Sequence, residues 1–392
     1  MEQMGEHTIQ DPTTDIVSYL RELIAIPTVS PPGETSKMAA YLSNALAAMG
    51  YSTETYSAVP GLDNVVARMG SGSPSLVFNV HVDTVDAGDL SRWSHPPLEA
   101  TPVGDHIFGL GAANCKGSGA VQLWLANKMA RRGGPGKGEV IFTFVTDEEN
   151  LGPNGMHFLR EQGIVAPDML LLGAPTDNSL ITTERGVLWV EITTMGRAAH
   201  AGRPEDGDNA ILRMIRIVTH LDKEMASRLS HRVDGDMRST INIGQVHGGL
   251  NTNVVPSQCV TQVDRRLLPS ETVYEAFAEI RSIVESVGEP ENAVHVERLR
   301  GTNGFRGDAS GPLVASLSNA IHAVTGSPAG YSTAIGVSDG RYFADDDVEI
   351  VNFGPGVGTE GHASNESVSI ESLRSSALIL DQAFSNLIGY AT

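Results

Sequence analysis

Two short apolar runs constrain this 392-residue chain more than any other feature. SLVFNVHVD (75–83) and EVIFTFVTDEE (139–149) are rich in β-branched and aromatic residues, as strands buried on both faces should be. Each ends in groups that can ligate a metal or exchange a proton, His81 and Asp83 in the first and Glu148 and Glu149 in the second. Between them SGAVQLWLANKMARR (118–132) has helical spacing, and a third apolar run, DMLLLGAPT (168–176), follows a helix expected around 154–162. Strands alternating with helices predict an α/β fold with an open, mostly parallel sheet flanked by helices. In such sheets ligands bind outside the carboxyl ends of the strands. Upstream, residues 14–27 and 35–49 carry helical patterns, so two helices are expected before the strand at 75.

After Arg185 the texture changes. VLWVEITTMG alternates with period two, a helix is expected from Asp208 to about Glu224, STINIGQVHGG and CVTQVDRRLLP alternate again, and a helix lies near Val273–Val287. The order β-α-β-β-α-β predicts a ferredoxin-like α+β insert, an antiparallel sheet with its helices on one face. From about Gly311 the α/β texture returns with PLVASLSNAIHAVTG, VEIVNFGPG and a terminal helix from about Ile370, and GTNGFRGDASG (301–311) reads as a hinge. The expected division is therefore a discontinuous domain, 1–185 with 301–392, interrupted by an insert at 186–300.

Composition excludes several function classes. Lys+Arg of 27 against Asp+Glu of 47 gives a net charge of −20, which opposes a nucleic-acid partner or an anionic membrane surface. Cys115 and Cys259 are too few for a disulfide framework, and MEQMGEHTIQDPTTD lacks the cationic and apolar regions of a signal peptide, so a cytoplasmic setting is expected. No apolar stretch approaches the ~18 residues of a membrane span.

The polar strand ends each allow two readings. His81-x-Asp83 puts two side chains on one strand face, where the carboxylate either holds the imidazole tautomer that frees a nitrogen for a metal or makes a structural hydrogen bond. Adjacent Glu148 and Glu149 diverge on an extended backbone, suiting one to a metal and its neighbour to general-base work, or both to an acidic loop capping the next helix. His362, in the glycine-rich GPGVGTEGHASNES, suits a ligand and equally a surface histidine.

The ordered set HVDTVDAGD, Trp93-x-x-x-Pro97, FGLGAANCKGSGA, FTFVTDEENLGPNG, LLGAPTD, Arg185-Gly186, GRAAHAGRPEDGDNAI, GGLNTNVVP, VDRRLLP and FGPGVGTEGHASNE resembles the aminoacylase, succinyl-diaminopimelate desuccinylase and glutamate carboxypeptidase family of metal-dependent amidohydrolases. The resemblance implies a catalytic α/β domain and an inserted lid and dimerisation domain, hence a homodimer and possible higher oligomers. It implies His81, Glu149 and His362 as metal ligands, Asp83 as the carboxylate orienting His81, and Glu148 as general base. His200 of AAHAG would reach the partner subunit's site and stabilise an oxyanion, while Asn253 and Arg266 would bind a substrate carboxylate. Asp339 and Arg341 of GVSDGRYF would shape the substrate cleft, or pair with each other as a salt bridge. Cys115 occupies a position that points away from the metals in the family.

Two family ligands are missing. Asn114 stands where the family has an aspartate bridging two metals, and Ala174 where it has Glu or Asp on the first metal. Leu110 stands where relatives usually have Arg. Without those two charges a pair of dications a few ångströms apart would repel strongly. One divalent ion per subunit is therefore expected, held by Glu149 and His362 with help from His81 or the Asn114 carbonyl. Mn or Zn suits such a site best, with Fe or Co possible. The expected activity is hydrolysis of a C–N bond in a small carboxylate-bearing substrate. Alternatives are displacement of an aromatic amine by hydroxide, as in the 5-nitroanthranilic acid aminohydrolase branch, an ordinary peptidase or N-acyl amino acid deacylase, and a non-catalytic protein that binds a ligand or partner through the old cleft.

Overall fold

The computed structural model describes residues 11–31, 33–334 and 336–391. The chain divides into two compact units, 1–182 with 307–332 and 338–392, and 183–306 with 333–337.

The first unit opens with α1 (Thr13–Ala25) and α2 (Ser36–Ala48). Ile16, Leu20, Leu23 and Ile24 recur at helical spacing and bury one face of α1, as Met38, Ala39, Leu42 and Leu46 do for α2. Two strands not expected from the sequence follow, Ser52–Ser57 and Asp63–Gly70, paired antiparallel. STETYS is polar and lies at the sheet edge, mostly exposed, so it has no apolar alternation to read. These strands make the eight-stranded sheet mixed. Its centre is parallel, in the order Glu139–Val145, Ser75–His81, Met169–Leu172, Glu349–Asn352, while the pairs Ser52–Ser57 with Asp63–Gly70 and Asp63–Gly70 with Glu139–Val145 are antiparallel. Helix α3 (Gly117–Arg131) is buried along almost its whole length and packs against α1 and the C-terminal helix α8 (Ile370–Leu387). Phe78 and Phe142 stack across the parallel pair at 5.0 Å between centroids, and Tyr51 meets Phe142 edge-on while its hydroxyl donates to the Ala126 carbonyl at 3.0 Å. Burying such a ring contributes about 1.5–3 kcal/mol, so this aromatic cluster anchors the sheet and α3 together. The short helix α4 is Met156–Glu161, and α7 (Pro312–Thr325) packs on α8. The carboxyl ends of the parallel strands, at His81, Val145, Leu172 and Asn352, all open at one edge.

In the second unit four antiparallel strands run in the order Thr240–Gly248, Gln258–Leu267, Gly186–Met195, Val294–Thr302. With α5 (Ala210–Leu229) and α6 (Val273–Glu285) the sequence order is the expected β-α-β-β-α-β. Gln258–Leu267 buries every second residue, and Leu188, Val190, Ile192, Met214, Ile217, Leu221 and Ile280 form the core with it. Asn209 caps α5 by accepting from the Leu212 amide at 3.1 Å, and Thr272 with Glu275 forms a capping box on α6. Helix α5 runs five residues past the expected end at Glu224, because Met225 and Leu229 continue its buried stripe. A two-residue hairpin, Val233–Asp234 with Met237–Arg238, follows it. In the stretch read as a hinge, Phe305–Arg306 pairs with Thr183–Glu184, so the entry and exit of this unit are laddered together. No helix among the described residues is long and apolar enough to cross a membrane.

Candidate functional site

His81 ends a central strand and is buried. Its Nδ1 lies 3.0 Å from the main-chain carbonyl of Asp83 and 3.5 Å from the Asp83 carboxylate. A carbonyl can only accept, so the proton sits on Nδ1 and Nε2 keeps its lone pair. The Asp83 main chain and its buried carboxylate oxygen Oδ1 thus both stand against Nδ1. The other carboxylate oxygen, Oδ2, accepts the Glu149 amide N–H at 3.1 Å, tying the loop after one strand to the end of its neighbour.

Glu148 and Glu149 are not on extended backbone, as their divergence from a strand required. The strand stops at Val145, Asp147 takes a left-handed φ of 63°, and residues 148–151 form a turn closed by Leu151 N–H to Glu148 O at 2.9 Å. Asn154 holds the Asp147 carboxylate at 2.7 Å, and a Cβ on Gly152 would stand 1.7 Å from that carboxylate, so any larger residue there would displace it. The turn separates the two side chains. Glu149 Oε1 meets His362 Nε2 and the Asn114 amide nitrogen, each at 2.9 Å, whereas Glu148 Oε1 accepts from Arg341 Nη1 at 3.1 Å. Burial pushes the Glu148 carboxyl up to about 7, with His81 and Arg341 acting in the opposite direction.

Asn114 sits in the turn Ala112–Lys116 that leads into α3. Its amide nitrogen is 3.0 Å from His362 Nε2, and its Oδ1 is 3.4 Å from His81 Nε2. The turn is held by Glu366, a buried carboxylate that accepts the amides of Gly111 at 2.9 Å, Ala113 at 3.0 Å and Asn114 at 2.8 Å. Sequence reasoning passed over Glu366, whose only signal was an acidic residue four positions after His362. It also placed Cys115 away from the site. Cys115 is buried with its Sγ 2.8 Å from Asn114 Oδ1, and burial pushes its thiol up, which keeps it a neutral donor there.

His362 has a left-handed φ of 62° and a half-exposed ring, and its hydrogen bond to Glu149 raises its pKa. Asn365 fixes its loop, accepting from the Ser94 amide at 2.6 Å and donating to Arg92 O at 3.0 Å. Asp339 and Arg341, expected to shape a substrate cleft, are each only 3% exposed. Arg341 lies behind Glu148, and Asp339 accepts from Asn79 at 3.1 Å, so both are committed to protein partners. Ala174 offers no donor group.

His200, Asn253 and Arg266 belong to the second unit. The loops of the first two adjoin, with Ala201 N–H donating to Asn253 O at 2.9 Å. His200 is exposed and its Nδ1 accepts from Gly202 N–H at 3.0 Å, which leaves the proton on Nε2. Asn253 is also exposed. Arg266 is half-buried and engaged by Asp264, at 2.8 Å from Nε and 3.0 Å from Nη2.

Among the described residues no three His, Cys, Asp or Glu side chains are grouped to hold a metal ion. What converges is a carboxylate, an imidazole and an amide: Glu149, His362 and Asn114. The two ends of an amide are interchangeable by a half-turn of its last torsion, which would put the Asn114 carbonyl toward Glu149 and His362. One O, one N and one amide O is a donor set suited to a single borderline divalent ion. On the other side of Asn114 stand His81 Nε2 and the Cys115 thiol.

Residues 182–292 match the M20 peptidase dimerisation domain. Solved structures share the fold along nearly the whole chain. An M20 family metallo-carboxypeptidase from Sulfolobus solfataricus superposes with a TM-score of 0.79 at 17% identity, covering 95% of this chain and 99% of that one. A tripeptidase from Staphylococcus aureus gives 0.73 at 21% identity, covering 95% and 97%. A dinuclear metal-binding M20 peptidase from Bacillus subtilis gives 0.69 at 17% identity, covering 95% and 97%. The chain therefore has the fold of the M20 metallopeptidases and aminohydrolases, and carries their dimerisation domain.

Proposed function

We propose that this protein is a metal-dependent hydrolase that cleaves a C–N bond in a small carboxylate-bearing substrate, with one divalent ion per chain, Mn or Zn by preference. The observation that carries the reading is the pairing of Glu149 with His362 beside a second, mostly buried carboxylate, Glu148, that takes no part in that pair. Glu149 and His362 would hold the ion, with Asn114 and His81 adjoining. A bound ion supplies Lewis acidity, acidifying water and polarising the group under attack. Glu148 takes the proton of the attacking water at Oε2, since Arg341 holds Oε1. Further roles rest on the family resemblance. His200 carries its proton on Nε2 and would donate it as a hydrogen bond to the developing oxyanion from a partner copy, while Asn253 and Arg266 would meet the substrate carboxylate. The second unit is read as the lid and dimerisation domain of a cytoplasmic homodimer.

A charge-poor centre favours a substrate other than an ordinary peptide, and the replacement of the bridging aspartate by Asn114 supports displacement of an aromatic amine as the second reading. One experiment separates the readings. Purified protein is assayed for metal content and for turnover of N-acyl amino acids, dipeptides and amino-substituted aromatic acids, alongside Glu148→Gln. About one ion per chain, with turnover that Glu148→Gln lowers by about 10²–10⁴-fold, is expected. Metal-loaded wild-type protein without turnover on any of these would leave a binding protein.

A further inference from the structure

We infer that Arg341 is a positioning residue: it fixes the Glu148 carboxylate by one oxygen and leaves the other to take the proton. The inference rests on Glu148 as the general base. The side chain of Arg341 is 1% exposed, so it cannot meet a substrate. Its contacts hold it from several directions. Nη1 donates to Glu148 Oε1 at 3.1 Å, and Nη2 donates to the Tyr342 hydroxyl at 2.9 Å. That hydroxyl donates in turn to Gly152 O at 2.9 Å, within the same turn that carries Glu148. The Tyr342 ring lies 4.4 Å from the guanidinium, and Asp339 flanks it at 3.9 Å while bonded to Asn79 inside the His81 strand. Arg341 is thus braced against both elements that carry the site, the turn after Val145 and the strand ending at His81.

Glu148 needs such a brace. It stands on a turn, and a glutamate has three side-chain torsions to fix. A rigid guanidinium held at several points loses little freedom in fixing them, and a single-oxygen contact selects which oxygen is left to accept a proton. Misplacing a catalytic group by about 1 Å costs on the order of 100-fold in rate.

The test is a double-mutant cycle on the substrate turned over fastest in the panel above, with metal content and melting temperature followed in each variant. Arg341→Met is expected to lower kcat about 100-fold with KM nearly unchanged, Arg341→Lys to recover part of the loss, and Arg341→Met to add nothing in a Glu148→Gln background. A rise in KM with kcat retained, or a full extra loss in the Glu148→Gln background, would overturn the inference. Should Arg341→Met not fold, Tyr342→Phe removes one brace without removing charge, and an unchanged kcat there would overturn it equally. A crystal structure of metal-free Arg341→Lys or Tyr342→Phe gives a readout without turnover: Glu148 is expected rotated or disordered, and Glu148 in its present orientation would count against the brace. Glu148→Gln alone reports on the general-base reading, because wild-type kcat in that variant removes the base whatever Arg341 does.

Discussion

Asn114 is the residue on which the site turns. It stands between Glu149 and His362 on one side and His81 and Cys115 on the other, and brings no charge to either. Asn114→Asp restores a carboxylate at that point. It is expected to tighten metal binding by at least about tenfold, equal to about 1.4 kcal/mol, and to admit a second, weaker ion. Calorimetric titration of the metal-free variant reads both, and unchanged affinity would mean that Asn114 is not at the ion. The pH dependence follows from Glu148. Its carboxyl is pushed up to about 7 by burial, and a base accepts a proton only when ionised. Below its pKa it is protonated and inactive, so kcat/KM should fall as pH drops through about 7 and level off above. A rate constant over pH 5 to 9, about two units either side, tests this, and a flat acid side would remove Glu148 from the rate-determining proton transfer.

At the scale of elements, the turn Ala112–Lys116 is the piece most dependent on a residue outside it. Glu366 accepts two of its amides and that of Gly111 just before it, and glutamine could offer only one acceptor oxygen. Glu366→Gln is expected to destabilise the protein by about 1–3 kcal/mol and to weaken metal binding, by thermal denaturation and metal titration. How much of this was legible in sequence differs between elements for physical reasons. Strands buried on both faces, such as 75–81 and 139–145, are continuous apolar runs and were readable, as were α1, α2 and the alternating strands of the second unit. The edge strand Ser52–Ser57 was not, because what holds it is pairing with Asp63–Gly70 and not its own side chains. At the site, motif order pointed to His81, Glu148, Glu149 and His362. Their connections were invisible, because the Arg341–Glu148 and Glu366–Asn114 contacts link residues 193 and 252 positions apart and carry no local pattern.

At the scale of the whole molecule, the surface of the second unit carries apolar side chains. Helix α5 buries one stripe against its sheet but leaves Leu212 and Ile215, three positions apart on the same side, 53% and 50% exposed. Such a stripe suits a second copy, in line with the dimerisation domain matched here. Leu212→Glu with Ile215→Glu is expected to give a folded monomer by light scattering, with turnover lost if His200 of the partner subunit completes the site. A dimer of unchanged mass would place the interface elsewhere. The hydrogen bond between Glu149 and His362 has one more consequence. At 2.9 Å the two groups can share a proton, and that proton offsets the Glu149 charge whenever no ion is bound. An incoming ion must evict that proton, because an imidazolium cannot ligate. Protons and metal therefore compete for one place, and loading should acidify weakly buffered solution by up to one equivalent and weaken steadily toward acid. The protein would register acidity through occupancy as well as through catalysis.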